Sequence, residues 1–189
     1  MSIKFMKQQD PNSPILYKLE TDNFIIRLAE PGDGKLLYEG LMETIEVLKS
    51  SPNTWPWAHD EQSEELSEKF CYNAYSRALR LVRVSLLIFN KTDNIFLGVV
   101  DAKRPNLTEL SWETSAWIRL SYQNKNILKE VMSALQDWLY SNNNQMKIYF
   151  GVDKNNVQMQ SVAKKSDFSK LDSTSTRNDS VFDIYKIEN

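Results

Sequence analysis

Trp117-Ile118-Arg119-Leu120-Ser121-Tyr122-Gln123-Asn124-Lys125-Asn126-Ile127 decides how the chain folds, because it joins a strand pattern to the strongest helical pattern in the sequence. Upstream, 107–118 (LTELSWETSAWI) sets polar residues inside an apolar frame and reads as a strand. Downstream, Ile127, Val131, Ala134, Leu135 and Trp138 lie on one stripe, which predicts a helix over Ile127–Tyr140 that stops at Ser141-Asn142-Asn143-Asn144. The exposed N–H groups and the dipole at such a helix start favour an anionic group, and Lys125 adds a cation. Most strand–loop–helix joints bind nothing, so the joint alone does not define a site.

Working outward, Phe24–Leu28 reads as a strand, and Pro31-Gly32-Asp33-Gly34 is turn chemistry with Asp33 placed to cap a helix. Leu36, Leu37, Gly40, Leu41, Thr44, Ile45 and Leu48 then recur at helical spacing up to Ser50-Ser51-Pro52. The loop 53–60 (NTWPWAHD) is aromatic for a loop. Ser63 with Glu64 and Glu65 predicts the capped, acidic start of a second helix that runs to about Arg80. Leu81–Phe89 and Ile95–Asp101 form a hairpin around 91–94, Met146–Val152 reads as a buried strand, Asn156–Lys165 as a short helix and Val181–Ile187 as a last strand. The order β-α-α-β-β-β-α-β-α-β, with consecutive hairpin strands in the middle, excludes a purely parallel doubly wound sheet. It predicts a mixed sheet with helices on both faces. Residues 1–14 read as a polar arm, and 15–189 as a single domain.

Composition removes several function classes. With 189 residues the chain can bury a core without staples. One cysteine, Cys71, excludes a disulfide framework or a cysteine zinc site within the chain, and one histidine, His59, argues against a multi-histidine metal site. Glycine numbers 5, and no GxGxxG or GxxxxGK[ST] run occurs, so a standard dinucleotide fold or P-loop is not expected. A net charge of −2 lacks the basic footprint of a nucleic-acid binder. No apolar run suits a signal peptide or a membrane span, so the expectation is a cytoplasmic protein with no membrane partner.

The segment Trp117–Ile127 resembles the acyl-CoA loop of the GNAT N-acetyltransferases, roughly W-I-x-P-x-[YF]-[RQ]-G-K-G-[YI], and within them the branch that acetylates ribosomal-protein N-termini. Other pieces fall in the family's order. Leu19-Glu20-Thr21 with Ile26-Arg27-Leu28 is similar to its opening segment. Trp55-Pro56-Trp57-Ala58 resembles the W-x-P-W-A loop, and Ser63 to Phe70 the helix behind it. Ile88-Phe89 through Leu97-Gly98-Val99 looks like its hairpin. Asn156 and Phe168 match the ends of N-x-x-S-x-R-V-x-E-K-L-G-F, with Val162 and Lys165 in step.

The resemblance implies an α/β (α+β) GNAT fold, a mixed, mostly antiparallel sheet of about six or seven strands with helices on both faces. It implies acetyl-CoA as co-substrate, no metal, and direct transfer of the acetyl group to a primary amine, on a protein N-terminus or a small molecule. The backbone of 115–119 would pair with the pantetheine arm and the N–H groups of 123–128 would hold the diphosphate. The coenzyme set carried over is Trp117, Ile118, Arg119, Gln123, Asn124, Lys125, Asn126, Ile127, Leu128, Asn156 and Lys165. Glu113 falls where the family carries its strand glutamate and is the candidate base. Trp55, Trp57 and His59 are the candidate acceptor-side residues. A monomer or homodimer is expected.

Departures from the pattern support a second reading, a catalytically degenerate binding or regulatory module of the same fold. Both loop glycines are asparagines, Asn124 and Asn126, the loop proline is Leu120, and Met159 replaces the helix serine that would protonate the leaving thiolate. Further along, Ser161, Lys164 and Asp167 replace the family's Arg, Glu and Gly. Asparagine is the non-glycine residue best suited to positive φ, so the turn is expected to survive. Plainer roles stand beside each site residue. Without the resemblance Glu113 reads as a solvated strand residue; Trp55 and Trp57 read also as packing, His59 as an incidental surface group and Asn156 as a helix cap. Lys164 and Lys165 read as a solvated pair, Tyr122 as a prop for the loop, Cys71 as a packed side chain, and Trp112, Trp117 and Trp138 as core.

Overall fold

Strand β3 (Arg83–Asn90) is buried along six consecutive residues, from Val84 to Phe89, which only a strand covered on both faces can be. It therefore sits inside the sheet, and the rest of the architecture follows from what covers it. In this computed structural model the described residues are 18–50, 56–104, 111–142, 147–154, 156–165, 168–177 and 180–186. The sequence expectations for the arm 1–14, for Trp55 and for 107–110 lie outside them.

The chain order is β1 (Lys18–Glu20), β2 (Phe24–Leu28), α1 (Gly34–Ser50), a 3-10 turn Pro56–His59, α2 (Glu64–Leu79), β3, β4 (Phe96–Lys103), β5 (Ser111–Ile118), a 3-10 turn Leu120–Tyr122, α3 (Ile127–Asn142), β6 (Lys147–Asp153), α4 (Val157–Lys165), β7 (Ser169–Arg177) and β8 (Ser180–Lys186). The eight strands form one sheet in the order β1-β2-β3-β4-β5-β6-β8-β7. Every pairing is antiparallel except β5 with β6. The fold is the mixed α/β sheet expected, with eight strands rather than six or seven. The additions are at the edges: β1 is three residues long, and β7 (SKLDSTSTR) lacks the apolar alternation that marks a half-buried strand.

Helices cover both faces. On one, α1 and α2 lay Leu37, Leu41, Ile45, Leu48, Cys71 and Ala74 against Leu87, Phe89, Phe96, Val99 and Trp117. On the other, α3 and α4 lay Ile127, Val131, Leu135, Leu139 and Ala163 against Leu86, Ile88, Val100, Trp112, Ile148 and Phe150. A bulge in β4 changes which of its residues face each core. Ile88 pairs with Gly98 but Phe89 pairs with Phe96, so Leu97 is the extra residue and the alternation changes phase across it. Gly98 is required there: a Cβ would stand 2.2 Å from the carbonyl oxygen of Trp117 on β5.

Two local expectations change. Asp33 does not cap α1 with its carboxylate, which instead takes both guanidinium nitrogens of Arg27 at 2.7 and 2.6 Å and the Glu30 N–H at 3.0 Å. Glu68 on α2 supplies the acceptors, taking the N–H groups of Gly32 and Gly34 at 2.8 and 2.9 Å. Ser63 does cap α2, accepting from Leu66 N–H at 3.1 Å. The strand expected from Leu81 begins at Arg83, because Leu81 adopts φ 52° and ends α2, its N–H returning to Ala78 O at 2.9 Å.

Candidate active site

The single parallel pair creates the site. β5 and β6 pair from Ser111↔Lys147 to Thr114↔Phe150 and no further. Beyond that point β5 stays with β4 as far as Gly98↔Ile118, and β6 stays with β8 as far as Asp153↔Phe182. Each strand follows its outer neighbour, so the two separate. The result is a cleft of about 790 Å³ between Ser115–Ile118 on one wall and Phe150–Asp153 on the other. Across it the strand edges face each other without ladder hydrogen bonds, which suits an extended ligand with amides of its own.

The mouth is the joint with which the sequence reading began. Asn124 and Asn126 adopt φ 64° and 56°, the left-handed conformation for which glycine is the usual residue. The turn survives the substitutions because asparagine tolerates that region. It delivers the chain into α3, whose first N–H groups have no helical acceptor and whose first residues border the cleft. Gln123 folds back so that Nε2 donates to Ile118 O at 3.1 Å, closing the turn on the end of β5. The Lys125 ammonium lies 4.7 Å from the ring centre of Tyr122, and the Arg119 guanidinium 5.6 Å from it.

Of the residues expected on the coenzyme side, Trp117, Ile118, Gln123, Asn124, Lys125, Asn126, Ile127, Leu128, Asn156 and Lys165 all line this cleft. Arg119 does not. Its Nε donates to Glu43 Oε2 at 2.8 Å, one terminal nitrogen donates to the same oxygen, and the other donates to Phe96 O at 3.0 Å. Asn156 also serves as the cap its position suggests, its Oδ1 accepting from Met159 N–H at 3.0 Å. Met159 lines the cleft with a thioether, which has no proton to give.

The acid–base groups are less tidily placed. Glu113 is outside the cleft lining; it stands opposite Lys103 in the β4–β5 ladder, with Oε2 3.4 Å from the ammonium and 14% of its side chain exposed. It is one pleat from Ser115, which does line the cleft, and on the same sheet face. Asp153, 3% exposed at the end of β6, is the one carboxylate lining the cleft among the described residues. The sequence reading missed it; its signal was an acid placed directly after the apolar strand 148–152. On the acceptor side Trp57 is half-buried against the α1–α2 core, its carbonyl held by Gln62 Nε2 at 2.8 Å, and His59 is exposed. Neither lines the cleft. Among the described residues no three His, Cys, Asp or Glu side chains converge as a metal site, and no helix is long and apolar enough to cross a membrane.

Comparison with known proteins bears on the whole arrangement. Residues 23–169 match the family model of the acetyltransferase (GNAT) domain. No curated protein matches the sequence. Among solved structures, the chain is similar to a ribosomal L7/L12 alpha-N-protein acetyltransferase, RimL, in complex with coenzyme A, with TM-score 0.77, 16% identity, and 88% of this chain and 94% of that one covered. It is similar to the microcin C7 self-immunity acetyltransferase MccE in complex with acetyl-CoA and AMP, with TM-score 0.76, 16% identity and coverage of 88% and 92%. A ribosomal-protein-S5-alanine acetyltransferase from Vibrio fischeri superposes with TM-score 0.74, 14% identity and coverage of 89% and 94%.

Proposed function

The chain belongs to the GNAT acetyltransferase family, and from that premise we propose that it transfers an acetyl group from acetyl-CoA to a primary amine, on a protein N-terminus or a small molecule. The observation that carries the proposal is the parting of β5 from β6 at Thr114 and Phe150, with a left-handed turn and a helix start at its mouth. In this reading the diphosphate rests on the N–H groups of 123–128, with Lys125 and Lys165 nearby, and the pantetheine arm extends the sheet along Ser115–Ile118. Trp57 and His59 border the acceptor's approach from the α1–α2 face.

The chemistry is a direct attack. The amine nitrogen forms a bond to the thioester carbon, the C–S bond breaks, and the thiolate leaves. The nucleophile must be neutral, so a carboxylate takes one proton from the ammonium; as the C–N bond forms the nitrogen gives up a second proton to water in the open cleft, and that water returns a proton to the thiolate in place of the donor that Met159 lacks. We assign the base role to Glu113, acting through water from one pleat away. Asp153 is the second reading for that role, favoured by its place in the cleft lining. The alternative of a binding module with no turnover is motivated by Met159.

The test is a calorimetric titration with acetyl-CoA, followed by measurement of thiol release across a panel of amines and N-terminal peptides. Binding with amine-dependent thiol release supports the transferase. Binding with no release across the panel supports the module, and no binding removes the reading of the cleft.

A further inference from the structure

One cluster of charged groups is used neither for the coenzyme nor for the chemistry, yet it is the most densely bonded feature of the mouth. Glu43, midway along α1, takes the Ser121 N–H on Oε1 at 2.8 Å and the Ser121 hydroxyl on the same oxygen. Its Oε2 takes two donors from Arg119, of which Nε stands at 2.8 Å. The next residue, Thr44, accepts the Leu120 N–H on Oγ1 at 3.2 Å and donates to Gly40 O at 3.0 Å. Three consecutive loop residues, Arg119, Leu120 and Ser121, are thus tied to two consecutive helix residues 76 positions and more away in sequence. The last turn of the same helix, with Val47, Leu48 and Ser50, reaches the cleft itself.

We propose that Glu43 is a positioning residue for coenzyme binding: it fixes Arg119–Ser121 to α1 and thereby holds the adjoining turn 123–126 in its binding-competent form. The proposal rests on reading 123–128 as the diphosphate cradle. Its physical content is preorganisation. The turn holds two non-glycine residues at positive φ, a conformation that an untethered loop leaves for part of the time. Apparent affinity is the intrinsic affinity reduced by the fraction of the ensemble that is competent to bind. A carboxylate that accepts four donors from the preceding loop residues raises that fraction without touching the ligand.

The experiment is calorimetric titration of the full chain with coenzyme A, for the unaltered protein, Glu43→Gln, Arg119→Gln, the double variant, and Glu46→Gln as a control at an exposed position on the same helix. The expected result is a dissociation constant raised about tenfold in Glu43→Gln, unchanged in Glu46→Gln, and raised no further in the double variant than in the worse single one, because both changes cut the same tie. Binding stoichiometry stays at one, and in turnover the loss falls on KM for acetyl-CoA with kcat within about twofold. A merely structural role would lower the stoichiometry or the melting temperature and leave the affinity of the folded fraction alone. If Glu43→Gln does not fold, Ser121→Ala removes one hydroxyl donor only and is expected to weaken binding about threefold. Equal affinity in the unaltered protein and these variants, or fully additive losses, overturns the proposal. Failure of the unaltered protein to bind coenzyme A is a distinct result: it removes the cradle itself.

Discussion

The two walls of the cleft are held in different ways. The β5 wall continues into a loop tied down at every step: Arg119, Leu120 and Ser121 to α1, Gln123 to Ile118, and Tyr122 in contact with the cations of Arg119 and Lys125. The β6 wall continues into α4 through bonds local to the joint among the described residues, Asn156 N–H returning to Asp153 O at 2.9 Å, its Oδ1 capping Met159 N–H, and Gln160 Nε2 reaching Lys154 O at 2.7 Å. Departures from the family pattern sort the same way. On the β5 side asparagine replaces glycine and the backbone geometry is kept. On the β6 side Met159 stands where the resemblance implies a proton donor, and its thioether has no proton to give. Binding and turnover can therefore be tested apart: the turn keeps its backbone geometry under a change of side chain, whereas a thioether cannot stand in for a hydroxyl in proton transfer.

The comparison breaks most severely at Gly98. Gly98→Ala puts a Cβ against the backbone of β5, so the strand that forms the tied wall must shift. A loss on the order of 3 kcal/mol in unfolding free energy is expected, read from urea denaturation. Next comes the base. Glu113→Gln is expected to lower kcat about 100-fold at pH 7 while coenzyme affinity stays within about twofold. An unchanged rate in that variant with a similar fall in Asp153→Asn would move the role across the cleft to the β6 wall. Asn156→Ala removes a cap from α4 and is expected to cost ~1 kcal/mol of stability, more than any single hydrogen-bond deletion on the β5 wall, where the remaining ties persist.

Smaller effects sharpen the contrast. Gly at positions 124 and 126 removes the cost of holding asparagine at positive φ and is expected to tighten coenzyme A binding a few-fold by calorimetry. Weaker binding would show that the asparagine side chains contact the ligand. Glu43 titrates in a competition: burial pushes its carboxyl up, but hydrogen bonds from Ser121 and Arg119 prevail and hold it below the ordinary range. A carboxyl lowered in the folded state stabilises fully above its unfolded value of about 4.3 and loses that contribution as pH falls through the folded value. The Ser121 amide proton is therefore expected to report the Glu43 titration in its NMR shift at a lower pH than that at which an exposed glutamate titrates.

How far the sequence revealed all this depends on the range of each signal. The α3 stripe, the Ser63 cap and the positive-φ turn are written in neighbouring residues, and the structure reproduces them. The β7 edge escaped because Ser, Thr and Asp carry no alternation. Leu81 as a helix terminator escaped because a branched apolar residue at positive φ is the opposite of what that position usually holds. Glu43 read as one polar residue of an amphipathic helix, since its partners lie across the fold. The cleft itself was legible only through family resemblance. Nothing local tells a strand where to leave its neighbour: Ser115 repeats the residue type of the paired Ser111, and Gly151, which has no side chain, weakens a strand without marking where it parts from its neighbour.

Because β5 and β6 are parallel, both run toward the same rim, and α3 and α4 begin there together, with Ile127 and Val157 each bordering the opening. Two helical macrodipoles therefore turn their electropositive ends toward one aperture, joined by the side-chain charges of Lys125, Lys129 and Lys165. A chain that is net anionic overall thus carries a focused positive field at a single doorway. Capture of a polyanionic ligand at this rim is expected to slow as added salt shortens the Debye length from ~10 Å at 0.1 M toward ~3 Å at 1 M.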